Sequence, residues 1–120
     1  MTTSDIAYSE FQQRLEQEHL SLSQEIKQEL LLNTLVPSSA AIDKAELSEL
    51  ILMAKSSFIP NLFDLAVRME RVDAAVCSGK LGMYGLCADC EEEIAHADLE
   101  QDPAQPRCHD CREHNRYHHN

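Results

Sequence analysis

Cys87 and Cys90 stand in the run Cys-Ala-Asp-Cys, Cys108 and Cys111 in Cys-His-Asp-Cys, and 17 residues, Glu91 to Arg107, separate the two pairs. Two residues between paired thiols let both sulfurs turn toward one ion, and a gap of about 15–20 residues lets a second pair complete a tetrahedron. The ion this pattern implies is a single Zn2+, with Zn–S distances near ~2.3 Å. Four thiolates leave no coordination position for water or substrate, so the expected zinc is structural, no catalytic residue is assigned, and the chain is not expected to be an enzyme. Two disulfides are the competing use of the four cysteines. They are disfavoured because Asp5 and Glu10 stand where a signal peptide would carry its basic region, and because the fifth cysteine, Cys77, would be left over.

A structural metal holds a fold together, so function must lie in what that fold presents. The chain has 120 residues, 10 Lys and Arg against 21 Asp and Glu, and a formal charge of −11. Binding a phosphate backbone needs clustered cations. The zinc region offers only Arg107, Arg112 and Arg116 against nine acidic residues, and a tetrathiolate zinc adds a formal −2. Sequence-specific DNA binding is therefore disfavoured, and a positively lined protein surface is the better partner. No apolar run approaches the ~18 residues that span a bilayer. The expectation is a cytoplasmic monomer with no membrane partner, in a compartment that keeps thiols reduced.

The rest of the chain reads as helix. With three glycines and four prolines, and a first 80 residues rich in Leu, Glu, Gln, Ala, Ser and Lys, there is little material for sheet. A first helix is expected from Ser4 and Asp5 to about Leu35, with an apolar stripe at Tyr8, Phe11, Leu15, Leu22, Ile26 and Leu30. Glu18 and His19 fill the missed turn, and Arg14, Glu18 and the other charged side chains read as solvated. Such a helix would extend ~46 Å, more than a small domain needs for its own core. Val36-Pro37-Ser38-Ser39 marks a tight reversal. Leu47, Ile51, Ala54, Phe58, Leu62, Leu65, Met69, Val72 and Val76 then repeat at about 3.6 residues per step, in phase through Pro60. That favours one long helix kinked at Pro60; a break there, giving a three-helix bundle, is the alternative.

The fold expected is mainly α: a long antiparallel helical hairpin, residues 1–80 with its tip near 36–46, joined to a four-cysteine zinc-finger domain with a C-terminal helix, residues 81–120. In a coiled-coil arm turning near residues 36–42, Leu30 would face Leu47, Ile26 face Ile51, Leu15 face Leu62, and Phe11 approach Val67 or Met69. Cys77, next to the seam residue Val76, is expected to be a buried structural thiol. Gly79, Gly82 and Gly85 end the second helix and let the backbone turn into the first cysteine pair. Asp102-Pro103 and Gln105-Pro106 mark turns in a stretch with room for a small loop or short helix, and a final helix of two or three turns follows His109. The tail histidines His114, His118 and His119 read as solvated rather than as a second metal site.

From Arg68 to Cys111 the sequence resembles the DksA/TraR family of bacterial RNA polymerase regulators. That family carries a helix ending in an Arg-x-Asp-Ala-Ala-like run, then Gly-x-Tyr-Gly-x-Cys-x-x-Cys, an isoleucine, an Arg-Leu pair, a proline and a second Cys-x-x-Cys. Tyr84-Gly85, Cys87, Cys90, Ile94, Leu99, Pro103, Cys108 and Cys111 fall in register over about 44 residues. The resemblance implies a zinc-anchored coiled-coil arm that enters the polymerase secondary channel, sets an acidic tip near the catalytic magnesium and alters promoter-complex lifetime without specific DNA contacts. The family's tip motif, Asp-x-x-Asp-Arg-Ala and acidic residues, aligns with Ala40 to Glu46, so Asp43, Lys44, Ala45 and Glu46 are the implied tip, with Ala40 at the first aspartate. On the residues alone, Asp43 reads as a first-turn helix carboxylate favoured by the macrodipole.

Two departures bear on that implication. Glu91 stands where the family usually has glycine, a position that often needs φ > 0. Arg71 and Arg112 occupy basic positions near the corner where the best-known members hold ppGpp, but Asp98 and Asp102 stand where those members carry basic residues, so weak or absent cooperation with ppGpp is expected. Two other function classes remain from the sequence: a factor that stimulates transcript cleavage by recruiting a second magnesium through Asp43 and Glu46, and a zinc-stapled protein-interaction module with no polymerase role.

Overall fold

The computed structural model describes residues 3–33 and 39–118, the side chains of 3–7, 39 and 114–118 apart. Val36, Pro37 and Ser38 of the expected reversal, and the side chains of the Ser4-Asp5 cap and of the tail histidines, lie outside the described residues. In chain order the helices are α1 (Thr3–Leu32), α2 (Ser39–Lys44), α3 (Leu47–Ser56), α4 (Pro60–Lys80), α5 (His96–Gln101) and α6 (His109–His118). Among the described residues the only sheet-like pairing is an isolated antiparallel bridge between Leu86 and Glu93. The architecture is mainly helical, as the composition requires, with the long helices α1 and α4 packed together.

The chain forms two compact units, residues 1–16 with 73–120, and residues 17–72. Both divisions fall inside the long helices, whereas the sequence reading set its boundary at residues 80 and 81. In the first unit, Phe11 and Leu15 from α1 share a buried core with Tyr84, Cys87, Ile94, Leu99 and Ala104. In the second, Leu22, Ile26 and Leu30 of α1, Ile42 of α2, Leu50 and Ala54 of α3, and Leu62, Ala66, Met69 and Val72 of α4 are buried. Each fully buried Leu or Ile contributes about 1.5–3 kcal/mol relative to exposure, so segments of four helices hold the second unit as a small bundle. The α1 stripe runs as the sequence predicts, with Tyr8 half-buried at its start.

The single kinked second helix does not form. The chain stops at Ser56 and restarts at Pro60, and the residues between explain why. The Ser57 hydroxyl donates to the Ala54 carbonyl at 2.7 Å and accepts the Ile59 N–H at 3.2 Å, closing off the helix end. Phe58 lies at φ 62, a left-handed conformation uncommon for a bulky side chain, and is 97 % exposed rather than on the seam. Pro60 then opens α4, where its missing N–H has no helical partner to lose. Unbroken spacing in the sequence did not require an unbroken helix, because each half keeps a buried stripe of its own.

The break also changes the register. Lys55 of α3 pairs with Glu70 of α4 at 2.8 Å, so α3 lies against α4. Glu18, half-buried, meets Arg68 through two bonds of 2.6 and 2.9 Å, whereas the expected hairpin would set it opposite Pro60. The partner lies about two turns further along α4 because residues 39–56 fold as α2 and α3. Phe11 meets the rings of Tyr84 and His96, at 6.5 and 6.1 Å between centroids, rather than approaching Val67 or Met69. Cys77 is exposed: a neighbour of a seam residue on a helix is turned about 100° away from it. Glu18 is paired and half-buried rather than solvated, whereas Arg14 stays exposed while donating to the carbonyl of Glu100 at 3.1 Å.

The side chains of the Glu18–Arg68 pair remain about one-third exposed, at 35 % and 31 %. Solvent screening at that exposure limits the pair to about 0.5–1 kcal/mol. A double-mutant cycle with Glu18→Ala and Arg68→Ala, followed by urea unfolding, is expected to return a coupling in that range that shrinks as salt is added.

Candidate metal centre

The path into the first cysteine pair is set by two glycine-dependent turns. At the end of α4 the Met83 N–H bonds the Ser78 carbonyl at 2.8 Å and the Gly82 N–H bonds the Gly79 carbonyl at 3.2 Å, the two bonds of a Schellman cap, with Gly82 at φ 73. Next, the Leu86 N–H bonds the Met83 carbonyl at 3.3 Å around Gly85 at φ 85, a type II turn. Gly85 has a second reason to be glycine: a Cβ there would sit 2.8 Å from the Tyr8 hydroxyl oxygen. Tyr84, inside this turn, is buried and donates its hydroxyl to the Pro103 carbonyl at 2.8 Å. Burial, with the neighbouring Tyr8 phenol, pushes the Tyr84 hydroxyl well above its usual range, which keeps it a donor.

The first pair sits in a short loop closed by backbone bonds. The Cys87 N–H reaches the Glu92 carbonyl at 2.7 Å, the Glu91 N–H reaches the Cys87 carbonyl at 2.9 Å, and the Ile94 N–H reaches the Gly85 carbonyl at 2.7 Å. Glu91 adopts φ 64 in this loop, the left-handed conformation for which the resembled pattern uses glycine. In the second pair, Cys108 directly precedes α6 and Cys111 lies in its first turn. The Ala88 N–H to the Pro106 carbonyl at 2.8 Å, and Arg107 to Asp89 at 3.4 Å, tie the two loops together.

This folding brings the four predicted sulfurs within 4.8 Å of one another. The Cys90 and Cys108 sulfurs lie 3.7 Å apart; the edge of a tetrahedron with Zn–S of about 2.3 Å is about 3.8 Å. The donor set and its spacing fit a tetrahedral thiolate-bound ion, and the cluster could hold a metal. Cys87 is 2 % exposed. Burial pushes its thiol up, but backbone N–H groups of Cys108, Cys90 and Asp89 and the Cys111 thiol outweigh this and bring it to about 6. The Asp89 N–H points at its sulfur from 3.4 Å. Cys111 is pushed the other way, well above the usual thiol range, by the crowded sulfurs of Cys108, Cys87 and Cys90. Cys90 also shifts upward, backbone bonding to Glu92 and the Cys111 thiol opposing the rise and burial and the sulfurs of Cys87 and Cys108 driving it. Four thiolates this close repel one another, and a bound cation is what removes the conflict.

The remaining predicted residues fall elsewhere. Asp43, Lys44 and Glu46 are exposed and Ala45 half-buried, while Ile42 beside them is buried in the second unit. The first turn of α2 holds no acidic residue, and Asp43 sits in its last turn, so the macrodipole reading of Asp43 does not hold. Arg71 is exposed. Arg112, beside Cys111, is engaged with Asp98 at 2.9 Å, and Asp102 accepts the Ala104 N–H at 3.0 Å. Sequence reading missed the ring cluster behind the metal loop, in which Tyr8 meets Tyr84 edge-on at 5.5 Å and His96 at 5.0 Å between centroids. Nothing in the spacing links residue 8 to residue 84; only the Gly-x-Tyr-Gly run hinted that Tyr84 had a neighbour to serve.

No protein-family model, curated protein or solved structure matches the chain. Among the described residues no helix is long and apolar enough to cross a membrane.

Two outcomes test the centre. Cys87→Ser, or a strong chelator, is expected to remove one equivalent of metal per chain and abolish cooperative melting of the cysteine loops and α5, read by metal analysis and circular dichroism; an unchanged fold without metal would contradict it. Glu91→Gly is expected to stabilise the loaded protein by about 0.5–1 kcal/mol in urea unfolding, with the metal content unchanged, since the left-handed backbone is relieved.

Proposed function

We propose that this chain is a bacterial transcription regulator of the DksA/TraR kind, with one structural Zn2+ on Cys87, Cys90, Cys108 and Cys111. In this reading it binds RNA polymerase directly through the secondary channel and modulates initiation without sequence-specific DNA contacts. The observation that carries it is the first metal loop. The Tyr84-Gly85 turn, the thiol cluster and the left-handed Glu91 occur together in the register of the resembled motif, and the last of these is a backbone requirement that composition cannot supply.

The charge of −11 supports a protein partner over a nucleic acid. At the tip, Asp43 and Glu46 are exposed carboxylates, and Ile42 anchors the segment in its unit. A carboxylate in water costs little, and interacts strongly only once desolvated beside cations or N–H donors of a partner. Arg112 already answers Asp98, which leaves Arg71 as the freer of the two cations considered for ppGpp and supports an effect independent of that alarmone.

The test is binding to bacterial core polymerase, competed by another secondary-channel factor, together with the decay of promoter complexes with and without ppGpp. Asp43→Asn is expected to keep most of the binding while weakening the effect on promoter lifetime about tenfold or more. The alarmone is expected to add nothing. Absence of competed binding would remove the proposal.

A further inference from the structure

A second surface of the first unit has no part in the metal site or the tip. Leu81, Met83 and Leu86 are 74 %, 51 % and 39 % exposed, although each donates its backbone N–H to a carbonyl, of Cys77, Ser78 and Met83 in turn. The Schellman cap directs Met83 outward, and the type II turn brings the Met83 and Leu86 backbones within about 7 Å of each other. Tyr84 and Gly85, between them, are buried. The three apolar side chains are thus held in solvent by a frame that the metal loop and the Tyr84–Pro103 bond keep in place.

Their neighbours are acidic. The bridge between Leu86 and Glu93 sets those two side chains side by side on one face, and Glu91, Glu92 and Glu93 are all exposed. From Lys80 to Glu93 the charges are Lys80 against Asp89, Glu91, Glu92 and Glu93, and Asp89 is already tied to Arg107. An apolar group rimmed by one sign of charge selects a partner carrying apolar side chains flanked by the opposite sign. Nucleic acid and anionic membrane meet the same repulsion. A second copy of the chain would bring like charge to like charge.

We propose that the outer face of the first metal loop, Leu81, Met83 and Leu86 with Glu91, Glu92 and Glu93, is a docking surface for a protein segment whose apolar side chains are flanked by lysine or arginine. The surface is distinct from the tip carboxylates and does not depend on the polymerase reading. Because its backbone is fixed before binding, little ordering cost falls on this side of the contact.

The probe is a synthetic helical peptide of about 15 residues with leucine on one face and lysine on the other, titrated into the zinc-loaded full chain. Amide shifts locate it and fluorescence anisotropy measures affinity. Shifts centred on residues 81–93 are expected, with binding that weakens as salt rises. A scrambled peptide of the same composition should bind about tenfold more weakly, as should the triple variant L81S/M83S/L86S and, as a milder check on folding, L81S/M83S. The variant E91Q/E92Q/E93Q should bind several-fold more weakly with a flatter salt dependence, whereas E25Q/E29Q/E49Q, which removes the same charge elsewhere, should bind as the parent does. The proposal is overturned if both glutamine triples lose affinity alike, if the shifts fall outside this face, if the scrambled peptide binds equally well, or if sedimentation without peptide shows a dimer that L81S/M83S/L86S dissolves.

Discussion

Mutual repulsion among four sulfurs gathered within 4.8 Å is the constraint that organises the first unit. Thiols crowded this closely cannot all ionise unless a cation sits among them: the neighbouring sulfurs push Cys111 up, while backbone N–H groups bring Cys87 down against its burial. The backbone around them accommodates it in advance. Amide hydrogens surround Cys87, Gly82, Gly85 and Glu91 take left-handed conformations, and the two loops are bonded to each other through Ala88 and Pro106. An ion bound here would link the loop that follows α4 to the start of α6.

Beside the cysteine loops, aromatic packing joins segments that lie far apart in the chain. Tyr84 presents its ring to Tyr8 and Phe11 of α1 and its hydroxyl to the carbonyl of Pro103, so one side chain joins the first helix, the turn after α4 and the loop before the second cysteine pair. Gly85 allows Tyr8 to approach where any larger residue would collide. The consequence is that the first 16 residues belong with the cysteine loops. The second unit is built differently, from apolar stripes on α1, α3 and α4 with the buried Ile42 of α2, and its ion pairs remain partly exposed.

These features bear on function through what is left outside. The acidic balance, the exposed carboxylates of Asp43 and Glu46, and the exposed apolar side chains of Leu81, Met83 and Leu86 are the features on which the proposed protein partner rests. Arg112, next to Cys111 in the chain, is paired with Asp98, and Arg107, next to Cys108, with Asp89, so the described cations beside the second cysteine pair tie segments of the unit together.

The cysteine spacing, the helical composition, the α1 stripe and the glycines of the first metal loop were readable from the sequence because each rests on local geometry. Two residues between thiols, 3.6 residues per turn and a positive φ are properties of a few neighbouring positions, whereas Glu91 is singled out by the resemblance to a motif that carries glycine there. The break at Phe58, the pairing of Glu18 with Arg68, the exposure of Cys77 and the meeting of Tyr8 with Tyr84 were decided only in the folded chain. Periodicity survives an interruption as long as each half buries its own stripe, so it carries no record of whether Ser57 closes a helix or Pro60 bends one. Once the helix parts there, which turn of α4 faces α1 follows from how residues 39–56 pack, a balance of many weak contacts between positions far apart in sequence.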